Sequence, residues 1–148
     1  MATSTLVQFL GAGEAAATSN RRQVETYLAG GAIAVGDWVS FDTTKTGADR
    51  VLYVKTVDTS GGAVAVGVPT VGVAIDAGGA GDQIRVVVAG YVENAKVATG
   101  STAGLALALD TTSSGRATIA DAANVNICGV ALEDAASNLA DCYVLKNV

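Results

Sequence analysis

Between residues 35 and 54 the chain reads VGDWVSFDTTKTGADRVLYV, and between 103 and 120 it reads AGLALALDTTSSGRATIA. Each stretch opens near a glycine, Gly36 or Gly104, and then alternates apolar and small or polar positions. Val39 and Phe41 share one face of the first, Leu107 and Leu109 one face of the second. Alternation with a period of two marks a half-buried strand. Each strand runs into Asp-Thr-Thr, then a polar turn with a glycine, then an arginine. Asp and Thr side chains bond their own backbone in turns and Gly supplies positive φ, so Asp42 and Asp110 read as turn initiators. The next strands are expected to start at Arg50 and Arg116.

A second correspondence follows downstream. VGVAID (71–76) matches CGVALED (128–134), with Gly72 and Gly129 in the same place. Alternation puts Val71, Val73 and Ile75 on one face, and Cys128, Val130 and Leu132 on another. A glycine inside a strand points to a bulge or to close backbone approach. Small-residue turns and the last strands, QIRVVVAG and DCYVLKNV, complete each copy. The pattern predicts an all-β fold, a small barrel or sandwich built from two internally repeated four-strand units at about 31–90 and 91–148. Units of that size are marginal alone, so one shared core within a single β-domain, 21–148, is expected. NRRQVETYLAG (20–30) suits a strand or extended arm. EAAAT and DAANVN are too short for stable helices. Residues 1–20 lie outside the repeat and read as a disordered tail or an extended N-terminal arm that orders on a neighbour, of which the arm is expected.

Composition narrows the class. Half of the 148 residues are hydrophobic and 16% are charged, which excludes a disordered chain. Aromatics are 5%, glycines number 18, and there is one proline, a balance suited to short strands and tight turns. The net charge is −5 and the only adjacent basic pair is Arg21-Arg22, so direct nucleic-acid binding is not expected. The first twenty residues hold no Lys or Arg for a secretory signal, and no apolar run is long enough to span a bilayer. Cys128 and Cys142 do not make a framework and read as small buried hydrophobes, with a cross-strand disulfide as the alternative.

The chain has no histidine, which removes the commonest general base, the Ser-His-Asp and Cys-His pairs, and most metal sites. No GxxxxGK[ST] occurs, and GAGE (11–14) follows no strand, so no nucleotide cofactor is expected. The carboxylates Asp42, Asp110, Asp76, Asp82, Glu133 and Asp134 read as turn and edge groups. A glycosidase-type pair would need two of them across a cleft. Neither an enzyme, a cofactor nor a metal is expected. The candidate contact residues are the apolar cluster Leu6, Val7, Phe9 and Leu10, the pair Arg21 and Arg22, and Trp38. Trp38 lies opposite Val39 and Phe41, so it is either core or an exposed anchor of a subunit contact.

SNRRQVETYLAGG, VGDWVSFDTTKTGADRVLYV, VGVAID and VVVAGYVENAKVATG resemble the small head decoration, or capsid cement, proteins of tailed bacteriophages. The likeness runs from about Ser19 to the C-terminus and lies in pattern and composition. It implies a β-rich virion protein on the outer capsid surface, assembled in the host cytoplasm. Its implied partners are the major capsid protein and itself, as a homotrimer, with residues 3–20 as the contacting arm. Another phage structural β-domain, in a tail, connector or fibre, is the alternative.

Overall fold

The computed structural model describes residues 22–56, 69–110, 112–122 and 126–147. Among the described residues nine strands carry the fold: β1 (Arg22–Ala29), β2 (Trp38–Phe41), β3 (Tyr53–Thr56), β4 (Thr70–Ala74), β5 (Gln83–Lys96), β6 (Ala106–Leu109), β7 (Ala117–Ile119), β8 (Ile127–Ala131) and β9 (Leu139–Val144). A short 3-10 helix, Gly47–Val51, lies in the loop before β3. The expected all-β class is what the chain adopts.

The strands are hydrogen-bonded in the order β1-β3-β2-β4-β5-β9-β8-β6-β7, and β1 also pairs with β5. That extra pairing closes β1 to β5 into a five-strand barrel. The β1–β5 ladder is long and antiparallel, from Arg22↔Gly90 to Leu28↔Gln83. The β1–β3 seam is short and parallel, Leu28↔Tyr53 and Ala29↔Val54. Closure removes the open strand edges that invite mispairing.

Within the barrel β2 pairs with β3 and β4, and β4 with β5. Beyond it β6 pairs with β7 and β8, and β8 with β9. The 14-residue β5 belongs to both halves. Its first part faces β1, and its second part pairs with β9 from Gly90↔Val144 to Lys96↔Leu139. Just past β5, Val97 bridges Ala117 in parallel, as Ala29 bridges Val54 in the barrel. The boundary expected at Gly90 and Tyr91 therefore falls inside a continuous strand.

Two buried clusters replace the single core expected. The barrel interior holds Tyr27, Ala29, Ile33, Val39, Val54, Val71, Ala74, Ile84, Val86 and Val88, with Phe41 packed against it. The second cluster holds Val92, Val97, Leu107, Leu109, Cys128, Ala131, Cys142 and Val144 among others. It also takes in Trp38, Val73 and Val87, which point outward from the barrel. Strands β2, β4 and β5 are thus covered on both faces. This explains why Val86, Val87 and Val88 are buried in succession without alternating.

Of the four register shifts among the described strands, two break the alternation expected of the matched segments. The β2–β4 register shifts between Val39 and Ser40, whose partners are Gly72 and Thr70. Val71 is the extra residue and faces the barrel, whereas Val73 faces the second cluster. The β6–β8 register shifts likewise between Leu107 and Ala108, opposite Gly129 and Ile127. Cys128 is the extra residue there and is buried, while Val130 is half-buried and Leu132 is exposed. The two triplets thus do not share faces, because one inserted residue reverses the phase of a strand. Val39 with Phe41, and Leu107 with Leu109, do share faces as expected.

Gly72 and Gly129 sit at these bulges for want of space. A Cβ on Gly72 would lie 2.0 Å from the Val87 carbonyl oxygen, and one on Gly129 would lie 2.7 Å from that of Tyr143. Arg116 directly precedes β7, as expected, but Arg50 lies in the 3-10 helix and β3 starts at Tyr53. The longer loop of the first unit absorbs the difference.

Candidate interaction surface

The two Asp-Thr-Thr turns are built alike. Asp42 Oδ1 accepts from the Thr44 amide at 3.1 Å and the Thr44 hydroxyl at 2.6 Å. Asp110 Oδ1 accepts from the Thr112 amide and hydroxyl, both at 2.7 Å. Each carboxylate is buried and faces a cation, Lys55 Nζ at 3.4 Å from Asp42 and Arg116 Nη2 at 2.5 Å from Asp110. Burial pushes both carboxyls up, but the Thr44 and Thr112 bonds and the neighbouring cations outweigh it and hold both below the ordinary carboxylate range. A charge locked in this way anchors a turn and is poorly suited to proton transfer.

Trp38 marks the junction of the halves. It is fully buried, and its indole Nε1 donates to the Lys96 carbonyl at 3.0 Å. Its backbone amide donates to the Gly115 carbonyl at 2.9 Å, and its ring edge lies against Gly129. Beside it, Lys96 Nζ reaches Asp37 Oδ1 at 2.5 Å, and the Lys96 amide donates to the Gly36 carbonyl. The exposed-anchor reading of Trp38 is therefore corrected: the second half covers the outer face of β2. The ring is core, with its one polar atom satisfied as burial requires.

Of the other contact residues, Arg22 is exposed at the first position of β1. Leu6, Val7, Phe9, Leu10 and Arg21 lie outside the described residues, as does the whole expected arm, 1–20. Cys128 and Cys142 are buried free thiols, each pushed up to about 12, chiefly by burial. They are the small hydrophobes expected, not a disulfide. Among the described residues, no group of three His, Cys, Asp or Glu is arranged to hold a metal ion. No helix among them is long and apolar enough to cross a membrane.

The surface carries apolar features that alternation alone did not reveal. Val51 and Leu52, 59% and 49% exposed, end the 3-10 helix as adjacent aliphatic residues. Leu52 lines a shallow pocket of about 200 Å³ together with Thr26, Tyr27, Leu28 and Gln83. The Tyr27 hydroxyl donates to Glu25 Oε2 at 2.7 Å, and burial, then this bond and the Glu25 charge, raise the hydroxyl above its ordinary range. Tyr143, Ile127 and Val24 are also exposed, on β9, β8 and β1. The signal for Val51 and Leu52 was an apolar pair immediately after a turn, a place where no core is expected.

No family model matches the chain, and no curated protein does. Among solved structures, the chain is similar to the N base of the head fiber protein gp8.5 of bacteriophage phi29. The TM-score is 0.55 at 16% sequence identity, over 85% of this chain and 96% of that one. At that identity the likeness shows a shared fold.

Proposed function

We propose that the chain is a structural component of a bacteriophage particle, carried on the outside of the head, where it decorates and stabilises the shell. The observation that carries this reading is the fold shared with the base of a phage head fiber along most of both chains. The architecture suits the task. A closed barrel whose outer face forms part of a second core is a rigid body, and its carboxylates serve turns. The partners proposed are the major capsid subunit and further copies of the chain, as a trimer, closed rotational symmetry being the usual state of a homo-oligomer. Many copies on one shell let weak single contacts sum. We read the two halves as copies of one unit that share β5, because their strands pair in the same order.

A second reading, a mount for a head fibre, is favoured by the nature of the matching protein and the 96% of it that is covered. Copy number in purified particles separates the two. Quantitative mass spectrometry giving a ratio near one to the most abundant capsid protein, with surface labelling by antibody, is the result expected of decoration. A few copies per particle would move the chain to a fibre base. Absence from particles would overturn both.

A further inference from the structure

Among the described residues, one sheet face of the second half is left open, and it is chemically distinct. The register places Tyr91 opposite Tyr143, Tyr143 opposite Val130, and Val130 opposite Ala106, in a single row across β5, β9, β8 and β6. The adjacent row, Val92, Cys142 and Ala131, points the other way into the core. Tyr143 is 44% exposed, and Tyr91, Val130 and Ala106 are half-buried, so the outward row forms an apolar strip open to solvent.

Three carboxylates border this strip. Asp141 stands two residues before Tyr143 and accepts from the Tyr91 hydroxyl at 2.6 Å and from the Asn94 amide at 3.1 Å. Glu133 accepts from the Asp141 amide at 3.0 Å. Glu93 follows Tyr91 by two, at a register shift between Val92 and Ala95 where Asn94 takes a φ of 53°. Such bulges re-aim side chains. The Tyr91 hydroxyl reports all three carboxylates. It is pushed up to about 12, first by its bond to Asp141, then by burial, then by the charges of Asp141, Glu93 and Glu133.

Among the described residues these three charges form no ion pair. The ion pairs among the described residues are Lys55–Asp42, Arg85–Asp76, Lys96–Asp37 and Arg116–Asp110. Glu93, Glu133 and Asp141 take part in none of them. Nor do they converge as a metal cage would. An apolar strip with an uncompensated acidic border, on a chain of net charge −5, complements a basic protein surface and repels nucleic acid.

We infer that the outward face of β5, β9, β8 and β6, centred on Tyr91 and Tyr143 and bordered by Glu93, Glu133 and Asp141, docks a basic, apolar-bearing segment of another protein. This inference deepens the proposed function and rests on it for the setting: the segment belongs to the shell that carries the chain. The aromatic strip supplies contact area, with Tyr143 as its exposed anchor. The carboxylates select Lys and Arg and steer approach.

The test uses the full chain and a synthetic peptide of alternating lysine and leucine as probe, with binding mapped by amide chemical shifts. Shifts should cluster on Tyr91, Val130 and Tyr143. The double variant E93Q/E133Q keeps shape and removes two charges. It should bind about tenfold more weakly, the scale of two exposed charges. Asp49→Asn, in the distant 3-10 helix, should bind as the parent does. Shifts elsewhere, no binding, or equal weakening by Asp49→Asn would overturn the docking face. The same variants offered to particles that lack the chain separate this inference from the functional reading. Parent that loads while E93Q/E133Q does not supports both. Parent and double variant loading equally overturns the face but not the particle role. Failure of the parent to load, with peptide binding intact, overturns the particle role alone.

Discussion

The two halves use one pairing order and reach different degrees of independence. The first is a closed barrel that shares only β5 with the second, with β1 sealing it against β5 and β3. The second borrows its first strand from the end of β5 and meets β7 through the single bridge Val97↔Ala117. It also borrows side chains, because Trp38, Val73 and Val87 from the outer barrel face complete its core. Two similar stretches of sequence thus become a scaffold and a dependent.

The sharpest way to break the comparison is to cut it. A fragment of residues 91–148 lacks Trp38, Val73 and Val87 and should show no dispersed amide spectrum. A folded fragment would show the second half to be self-sufficient. Next in size, Trp38→Ala removes the largest buried side chain, and a change of this kind costs about 3–5 kcal/mol. Chemical denaturation should record that loss. Cys128 and Cys142 both lie in the second cluster, so thiol labelling under native conditions should become fast in the variant and stay slow in the parent.

Gly72→Ala should cost about 1–3 kcal/mol or more, by overpacking against a backbone carbonyl that cannot give way. Gly129→Ala should cost less, since the 2.7 Å approach is less severe than 2.0 Å. The reverse order in melting temperatures would contradict the geometry.

Acid should act on both halves through the matched turns. Asp42 and Asp110 are held below their unfolded value of about 3.9, so the stability they contribute is complete above that pH. It is lost as pH falls through their lowered folded values. Unfolding free energy measured from pH 6 to pH 2 should therefore decline from about pH 4 downward. The decline should flatten in the Asp42→Asn/Asp110→Asn pair, whose side chains do not titrate.

The smallest effect probes a flaw confined to the second half. Ser101 stands 68 positions after Ile33; Ile33 is barrel core, and Ser101 is buried with its hydroxyl unpartnered. Ser101→Ala should stabilise by about 1 kcal/mol, since a buried polar group without a partner costs about that much. A loss of stability would show that the hydroxyl has a partner.

Much of this was legible in the residues. Alternation in WVSF and LALAL located β2 and β6, and the Asp-Thr-Thr signature located the turns that follow them. The interior glycines located the bulges, because a missing side chain leaves a mark that local reasoning can read. Trp38 was not legible, nor were the faces of Val71, Val73 and Val130. Each depends on what lies beyond its own strand, or on one inserted residue that reverses the phase.

The amino-acid sequence by itself determined an all-β chain, the strands that run into the two matched turns, and the places where no side chain fits. These follow from short-range rules of backbone and pleat. Only the tertiary structure decided that β1 closes a barrel, that β5 serves two halves, and that the outer face of one barrel is the inner face of the next core. It alone decided that Tyr91, Tyr143, Glu133 and Asp141 share a surface. Those facts depend on pairings between residues far apart in the chain, and the period of a single strand carries no information about its partner.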